Sequence, residues 1–469
     1  FKDRLLKLDI RSQAFNPAHI DPKFPSGNIN GSINLAGELA KEHFAGKMRF
    51  SPSILNGVPL NGHADIVYES RHLPRALIDL RLGQNIIKTD GSFGKKGDRL
   101  NLNITAPDLS RFGFGLEGLL NIHGHLSGDP SEGIKTFETN LSGTARGLHI
   151  GKAANIRSLD FTLKGSPDTN RPLHADIKGS SLSVSGGTAV IDTADLTLDG
   201  TGAQHRIRTH ASMTLDGKPF KFDLDASGGI NKALTLWKGS ISVFDIGGAF
   251  NLKLQNRMML EAGEERVAMS TANWRAMGGS LNLQHFSWDK KSGISAKGNA
   301  RSLHIAELHN FYKPPVEHDL VIAANWDMSY SHSPRGFLQL KQLSGDVILP
   351  TARKQALNLS GFVLNTTLDG RGIQNQVQAG TRYGKLQGQY NILRSFGQGN
   401  LLTAPVSGSL QLTNENLDSL RNVMPIGQTV TGRLQANITI GGQVNQPKLG
   451  GTLTGDNLSY RHRQIGIIL

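Results

Sequence analysis

His123 and His125 stand one residue apart within Gly118–Gly128, GLLNIHGHLSG. Alternate residues of a strand point to one side, so both imidazoles could approach one metal ion. A zinc centre needs three or four protein ligands, and no third stands nearby. The pair reads instead as polar residues on a surface or a hairpin edge. Gly113-Phe-Gly-Leu-Glu-Gly118 has the GxGxxG spacing of a dinucleotide loop. With glycine this frequent, about one such match arises by chance, and the motif must open a helix, whereas a strand pattern follows here. GxSxG, HExxH and P-loop patterns do not occur. Carboxylates gather in turns such as Leu198-Asp-Gly200 and Leu215-Asp-Gly217, where Asp supports the bend. No carboxylate pair stands out as general acid and base, and Trp237, Trp274, Trp288 and Trp326 are scattered. The absence of cysteine excludes disulfides and thiolate metal sites. Neither an enzymatic activity nor a cofactor nor a metal is expected. The chemistry that remains is non-covalent, and its material is an apolar stripe.

That stripe has a period of two. Leu159, Phe161 and Leu163 share a face, as do Leu173, Ala175 and Ile177. Phe220, Phe222 and Leu224 oppose Lys221, Asp223 and Asp225. Phe250, Leu252 and Leu254 follow, then Leu281 and Leu283, then Leu410 and Leu412. From Gly432 to Ile440, Leu434, Ala436, Ile438 and Ile440 face one way, and Arg433, Gln435, Asn437 and Thr439 the other. Such alternation is the mark of strands with one apolar and one wet face. Large-polar-Gly punctuation recurs, as in Leu60-Asn-Gly62, Leu141-Ser-Gly143 and Leu368-Asp-Gly370, supplying tight hairpin turns. At roughly 10–12 residues per strand and turn, on the order of 40 antiparallel strands are expected. Helical periodicity is confined to short pieces near Leu303–Tyr312 and Leu417–Val423.

A sheet with one apolar face must hide it. Without helices to cover it, the sheet folds on itself as a sandwich, a barrel or a curved trough. Uneven repeats argue against a closed barrel or a propeller. The expectation is an all-β fold: an elongated, curled antiparallel sheet whose apolar side chains line the inside. The stripe is then either an ordinary sandwich core or an open conduit for hydrocarbon, which needs only a dry, non-directional lining.

The net charge of the 469-residue chain is +13, with Lys and Arg spread singly. This fits a solvated face or attraction to anionic lipid head groups. No nucleic-acid module is recognisable, so nucleic acid is not an expected partner. No apolar run approaches the 18 or so residues of a membrane helix. Phe1-Lys-Asp-Arg is not an initiator sequence and Gly466-Ile-Ile-Leu469 stops on an apolar strand, so the chain reads as an internal part of a longer protein. No composition break divides it, and one continuous β-groove region is expected over residues 1–469.

An imperfect repeat runs through the chain. Gly27–Gly37 is GNINGSINLAG, Gly118–Gly128 is GLLNIHGHLSG, Gly432–Gly442 is GRLQANITIGG, and Glu317–Ser329, EHDLVIAANWDMS, is a looser copy. Each follows a short segment with a Leu or Phe series, giving repeat-like units near 27–60, 118–156, 317–345 and 432–465. Uneven copies point to an elongated array. The last stretch, Gly408–Leu469, resembles the repeating region of TamB-type translocation and assembly proteins of the wider AsmA-like group, and Leu8–Gly37 is similar to a further segment of that family. The resemblance implies a protein anchored in the Gram-negative inner membrane that crosses the periplasm as a U-shaped sheet, a β-taco. It implies membranes at both ends and a TamA-type outer-membrane partner held by a region beyond this chain. It also implies a bridge-like carrier of phospholipid, with assistance to the assembly of outer-membrane β-barrel proteins and autotransporters as the alternative. Sixteen stripe residues, Leu159, Phe161, Leu163, Phe220, Phe222, Leu224, Phe250, Leu252, Leu254, Leu281, Leu283, Leu410, Leu412, Leu434, Ile438 and Ile440, would then line a lipid groove.

Overall fold

The structure is a computed structural model that describes residues 5–38, 41–132, 136–166, 168–184, 189–314, 316–350, 354–370, 372–393, 401–463 and 467–468. The apolar end read at Gly466–Leu469 falls partly outside them. The all-β expectation holds: the described residues form 32 strands, and their helical pieces are 3-10 segments of three to six residues. Thirty-two strands replace the forty or so expected because many run 10 to 13 residues before turning, straight through triplets read as turns: Gly62, Gly143 and Gly200 lie inside Val58–Glu69, Glu138–Ile150 and Ala189–Thr201. The chain divides into two units, Phe1–Gly248 and Ala249–Leu469.

In the first unit fifteen strands, from Leu5–Phe15 to Leu236–Gly248, form one antiparallel meander in which each strand pairs with its neighbours in sequence. The sheet is curled. The strands Gly27–Glu38 and Leu116–Ser127 are six apart, about 29 Å on a flat sheet at about 4.8 Å per strand. Yet Phe24 and Phe114, just before these strands, bring their ring centroids to 5.6 Å. Asn56 reaches the same place from another hairpin, its Nδ2 donating to Ser110 O at 3.0 Å. Asn85 makes two bonds there, Nδ2 to Asp108 O at 2.7 Å and Oδ1 from Asp108 N at 3.0 Å. The 3-10 segment Leu109–Phe112 is the post around which this edge gathers.

In the second unit the meander resumes with short strands, then runs from Gly279–Asp289 to Gln446–His462. Two of its 3-10 segments, Ile305–Asn310 and Leu417–Asn422, are crossovers where the sequence places helical periodicity. Each of the four sequence copies is thus entered from a 3-10 crossover: Pro17–His19, Leu109–Phe112, Ile305–Asn310 and Leu417–Asn422. Asn16, Asp108 and Asn416 cap three of them by accepting a backbone N–H two residues on.

A recurring bulge locks the entry. Gly118 has φ 94°, and a Cβ there would lie 2.2 Å from the oxygen of Gly147, itself left-handed at φ 54°. Gly432, at φ 112°, sits likewise against Asn457, which has φ 52°. Only glycine fits such positions without strain.

Candidate functional site

The side chains that could do covalent chemistry are wired for structure. Nδ1 of His123 lies 2.9 Å from Asn103 Oδ1, and Nδ1 of His125 lies 3.0 Å from an Arg99 nitrogen. No group of three or more potential metal-holding carboxylates and imidazoles occurs among the described residues. Gly113–Gly118 leaves a 3-10 segment and enters a strand, with no helix to seat a phosphate. His72, Asp98 and Ser92 lie together, but Ser92 Oγ donates to Asp98 Oδ1 at 2.7 Å, while His72 Nε2 meets Asp98 Oδ2 at 3.0 Å. A nucleophilic hydroxyl must face the imidazole, so this is a loop staple. Burial pushes the Asp98 carboxyl up, but the Ser92 hydroxyl, the Lys95 amide and His72 together hold it below its ordinary value.

The apolar stripe becomes two continuous faces. In the first unit the register aligns Gly31, Phe50, Gly62, Leu80, Ile87 and Ile104 across successive strands. The same row continues through Ile122, Gly143, Phe161 and Ile177, then Leu196, Thr209, Leu224 and Phe244. Leu163 joins Leu141 and Ala175 one step along, Leu159 joins Ala145 and Gly179, and Phe220 and Phe222 face Met213 and Ala211. All six groove candidates of this unit therefore share one face. In the second unit Leu254, Trp274, Leu281, Ala300, Ala324 and Leu340 align, followed by Leu364, Val377, Gly388, Leu410 and Ile438. Leu252, Leu283, Leu412, Leu434 and Ile440 lie on the same face in flanking rows. Phe250 departs from the group: it precedes its strand, in a bend, with its ring 6.3 Å from Phe311 of a crossover.

These faces are apolar without being closed. Of the sixteen stripe residues only Leu254 is fully buried, and the others are half-buried. The accessible surface is 27966 Å² for 50.7 kDa. Two separate compact bodies of half that mass would together expose only roughly 21,000 Å². Nearly half of the fully buried apolar residues are alanines. Three of the larger ones gather at crossovers, Leu109 and Leu148 with Ala106 and Ala145, and Leu303 with Ala300 and Ala324. Leu159 packs against the first cluster and Leu281 against the second, so these two also serve local cores.

Sequence reasoning missed a signal for those cores. Ala145-Arg-Gly-Leu-His-Ile150 and Ala300-Arg-Ser-Leu-His-Ile305 are nearly identical. Both place a left-handed residue third, Gly147 at φ 54° and Ser302 at φ 56°, and a buried leucine fourth.

The family described as "TamB, N-terminal domain" matches residues 6–454. The chain belongs to the TamB family. It is 22% identical over 466 residues to the "Translocation and assembly module subunit TamB" of Haemophilus influenzae, covering 92% of this chain and 33% of that protein. The chain thus spans about a third of the length of this TamB relative. No solved structure matches it. Among the described residues, no helix of this TamB-family chain is long and apolar enough to cross a membrane.

Proposed function

We propose that the apolar face of each unit carries the acyl chains of phospholipids, as part of a TamB-type bridge across the Gram-negative periplasm between the inner and outer membranes. The observation that carries this reading is a mostly apolar row crossing successive strands, whose large side chains stay half-buried from Phe50 to Phe244 and from Leu340 to Ile438. A closed sandwich would bury its large side chains, whereas hydrocarbon sliding along a trough needs them dry and reachable. No specific contact is required, which suits a lining of Leu, Ile, Val and Phe and no catalytic group. The inner-membrane anchor and a TamA-type partner belong to the reading through regions outside this chain. Native mass spectrometry of the gently purified chain is expected to reveal bound phospholipid. A chain that emerges lipid-free and takes up none from vesicles would overturn it.

A second reading rests on the relative's name, a translocation and assembly module subunit. A sheet edge could template a strand of an outer-membrane protein by β-augmentation. Apolar-face charges that stop lipid uptake but leave client assembly intact would favour that role.

A further inference from the structure

The polar faces of the two units differ in kind. In the first unit the row Arg11, Ser32, Arg49, His63, Asp79 and Lys88 is ionic, and cross-strand ion pairs such as Lys88–Asp79 at 3.4 Å and Arg146–Asp160 at 2.7 Å lace it together. In the second unit Asn273, Asn282, Asn299, Asn325, Gln339 and Asn365 stand side by side across successive strands. Gln376, Gln389, Ser409 and Thr439 continue the row. Ten consecutive positions carry no charge, in a chain of net +13. A parallel row adds Gln378, Gln387, Gln411 and Asn437.

The amides bond along the row: Gln339 Nε2 donates to Asn365 Oδ1 at 2.8 Å, Gln387 Nε2 to Gln411 Oε1 at 2.7 Å, and Asn282 to Asn273. Each carboxamide offers two donors and an acceptor with two lone pairs, so capacity is left facing solvent. Two open hollows of about 550 and 520 Å³ lie on this face and share Asn365. Phe337 stands beside them, 45% exposed on the polar side of its strand. Of the ions flanking the row, Lys297 and Asp327 pair with each other at 2.8 Å, while Arg275 and Lys341 stand two residues from Asn273 and Gln339 on the same side of their strands.

We propose that this face binds a linear, uncharged polysaccharide. An array of neutral amides about 4.8 Å apart repeats at close to the length of one pyranose unit. It meets sugar hydroxyls as both donor and acceptor, and its desolvation costs far less than that of the ionic face. Phe337 supplies an apolar platform for the C–H side of a sugar ring. A charged polymer would find no counter-ions on this row. The site lies on the face opposite the apolar stripe and stands apart from the lipid reading.

The test is titration calorimetry of the full chain with a β-1,4-linked N-acetylglucosamine hexamer, repeated at high salt. Saturable, salt-insensitive binding is expected. Phe337→Ala should weaken it at least tenfold, and Gln376→Glu with Gln389→Glu at least fivefold. Lys88→Gln on the ionic face should leave it unchanged. Circular dichroism confirms that each variant is folded. Absence of saturable binding, equal affinity in Phe337→Ala, or binding only to a polyanion would overturn the proposal. So would sedimentation showing that this face instead joins two copies of the chain, with the glutamate variants separating them and glycan affinity unchanged.

Discussion

Phe222→Asp separates a lipid track from a sheet core. The ring is half-buried and meets Phe244 edge-on with centroids 5.5 Å apart, between Ala211 and Ile246 on neighbouring strands. Losing the aromatic pair costs about 0.5–1.5 kcal/mol, and losing a partly buried ring costs about 1 kcal/mol more. The sheet should survive a change of about 2 kcal/mol. An acyl chain over this position would retreat from a hydrated carboxylate across roughly four methylenes, at about 0.8 kcal/mol each. That is about 3 kcal/mol, or about a hundredfold in affinity. Phospholipid occupancy by native mass spectrometry and displacement of a fluorescent lipid would read the loss, with the far-UV spectrum checking the fold. Thr193→Asp adds the same charge on the opposite face, where Thr193 Oγ1 lies 2.7 Å from Ser212 Oγ, and should change neither reading. The reasoning is refuted if folded Phe222→Asp keeps its lipid, or if Thr193→Asp loses as much.

Two other perturbations test the framework. Gly118→Ala should cost about 2–3 kcal/mol, since a Cβ at φ 94° would press on Gly147 O; Gly441→Ala, with open space around it, should be neutral or slightly stabilising, and urea midpoints at constant slope would rank the two. His318 and His309 place their Nε2 atoms 3.1 Å apart, and burial, then His309, lowers the His318 pKa from the ordinary 6.5. The unfolded chain therefore takes up its proton first as pH falls, so stability is lost as pH drops below 6.5 toward the folded value. Protection factors of the amides in Ile305–Asn310, taken relative to the intrinsic exchange rate at each pH, should fall as pH drops below 6.5, and unchanged protection would contradict this.

Much of the sheet was legible because strand alternation is a local signal. Leu159, Phe161 and Leu163 announce their common face without knowledge of any partner. The crossover at Leu417–Asn422 was legible from Leu417 and Leu420 three residues apart. What could not be read was register. That Phe161 lies beside Gly143 and Ile177, or that Asn325, Gln339 and Asn365 form one row, depends on how each hairpin closes. Bulges such as that between Leu283 and His285 shift the count within a strand. Phe250 was read as continuing Leu252 and Leu254, because alternation alone does not mark where a bend ends and a strand starts. The paired hexapeptides at Ala145 and Ala300 were overlooked because their shared feature is a left-handed backbone, which hydropathy does not register.

The next-neighbour pairing of the first unit has a bearing on biosynthesis. Each hairpin can close on residues already delivered, and no strand waits for a distant mate. Loop-closure entropy stays small at every step. Such a chain can assemble from its leading end while the remainder is still being made, its growing margin serving as the template for the next arrival. A break in the middle would leave the upstream portion folded, so limited proteolysis of stalled or truncated chains should yield a ladder of resistant products.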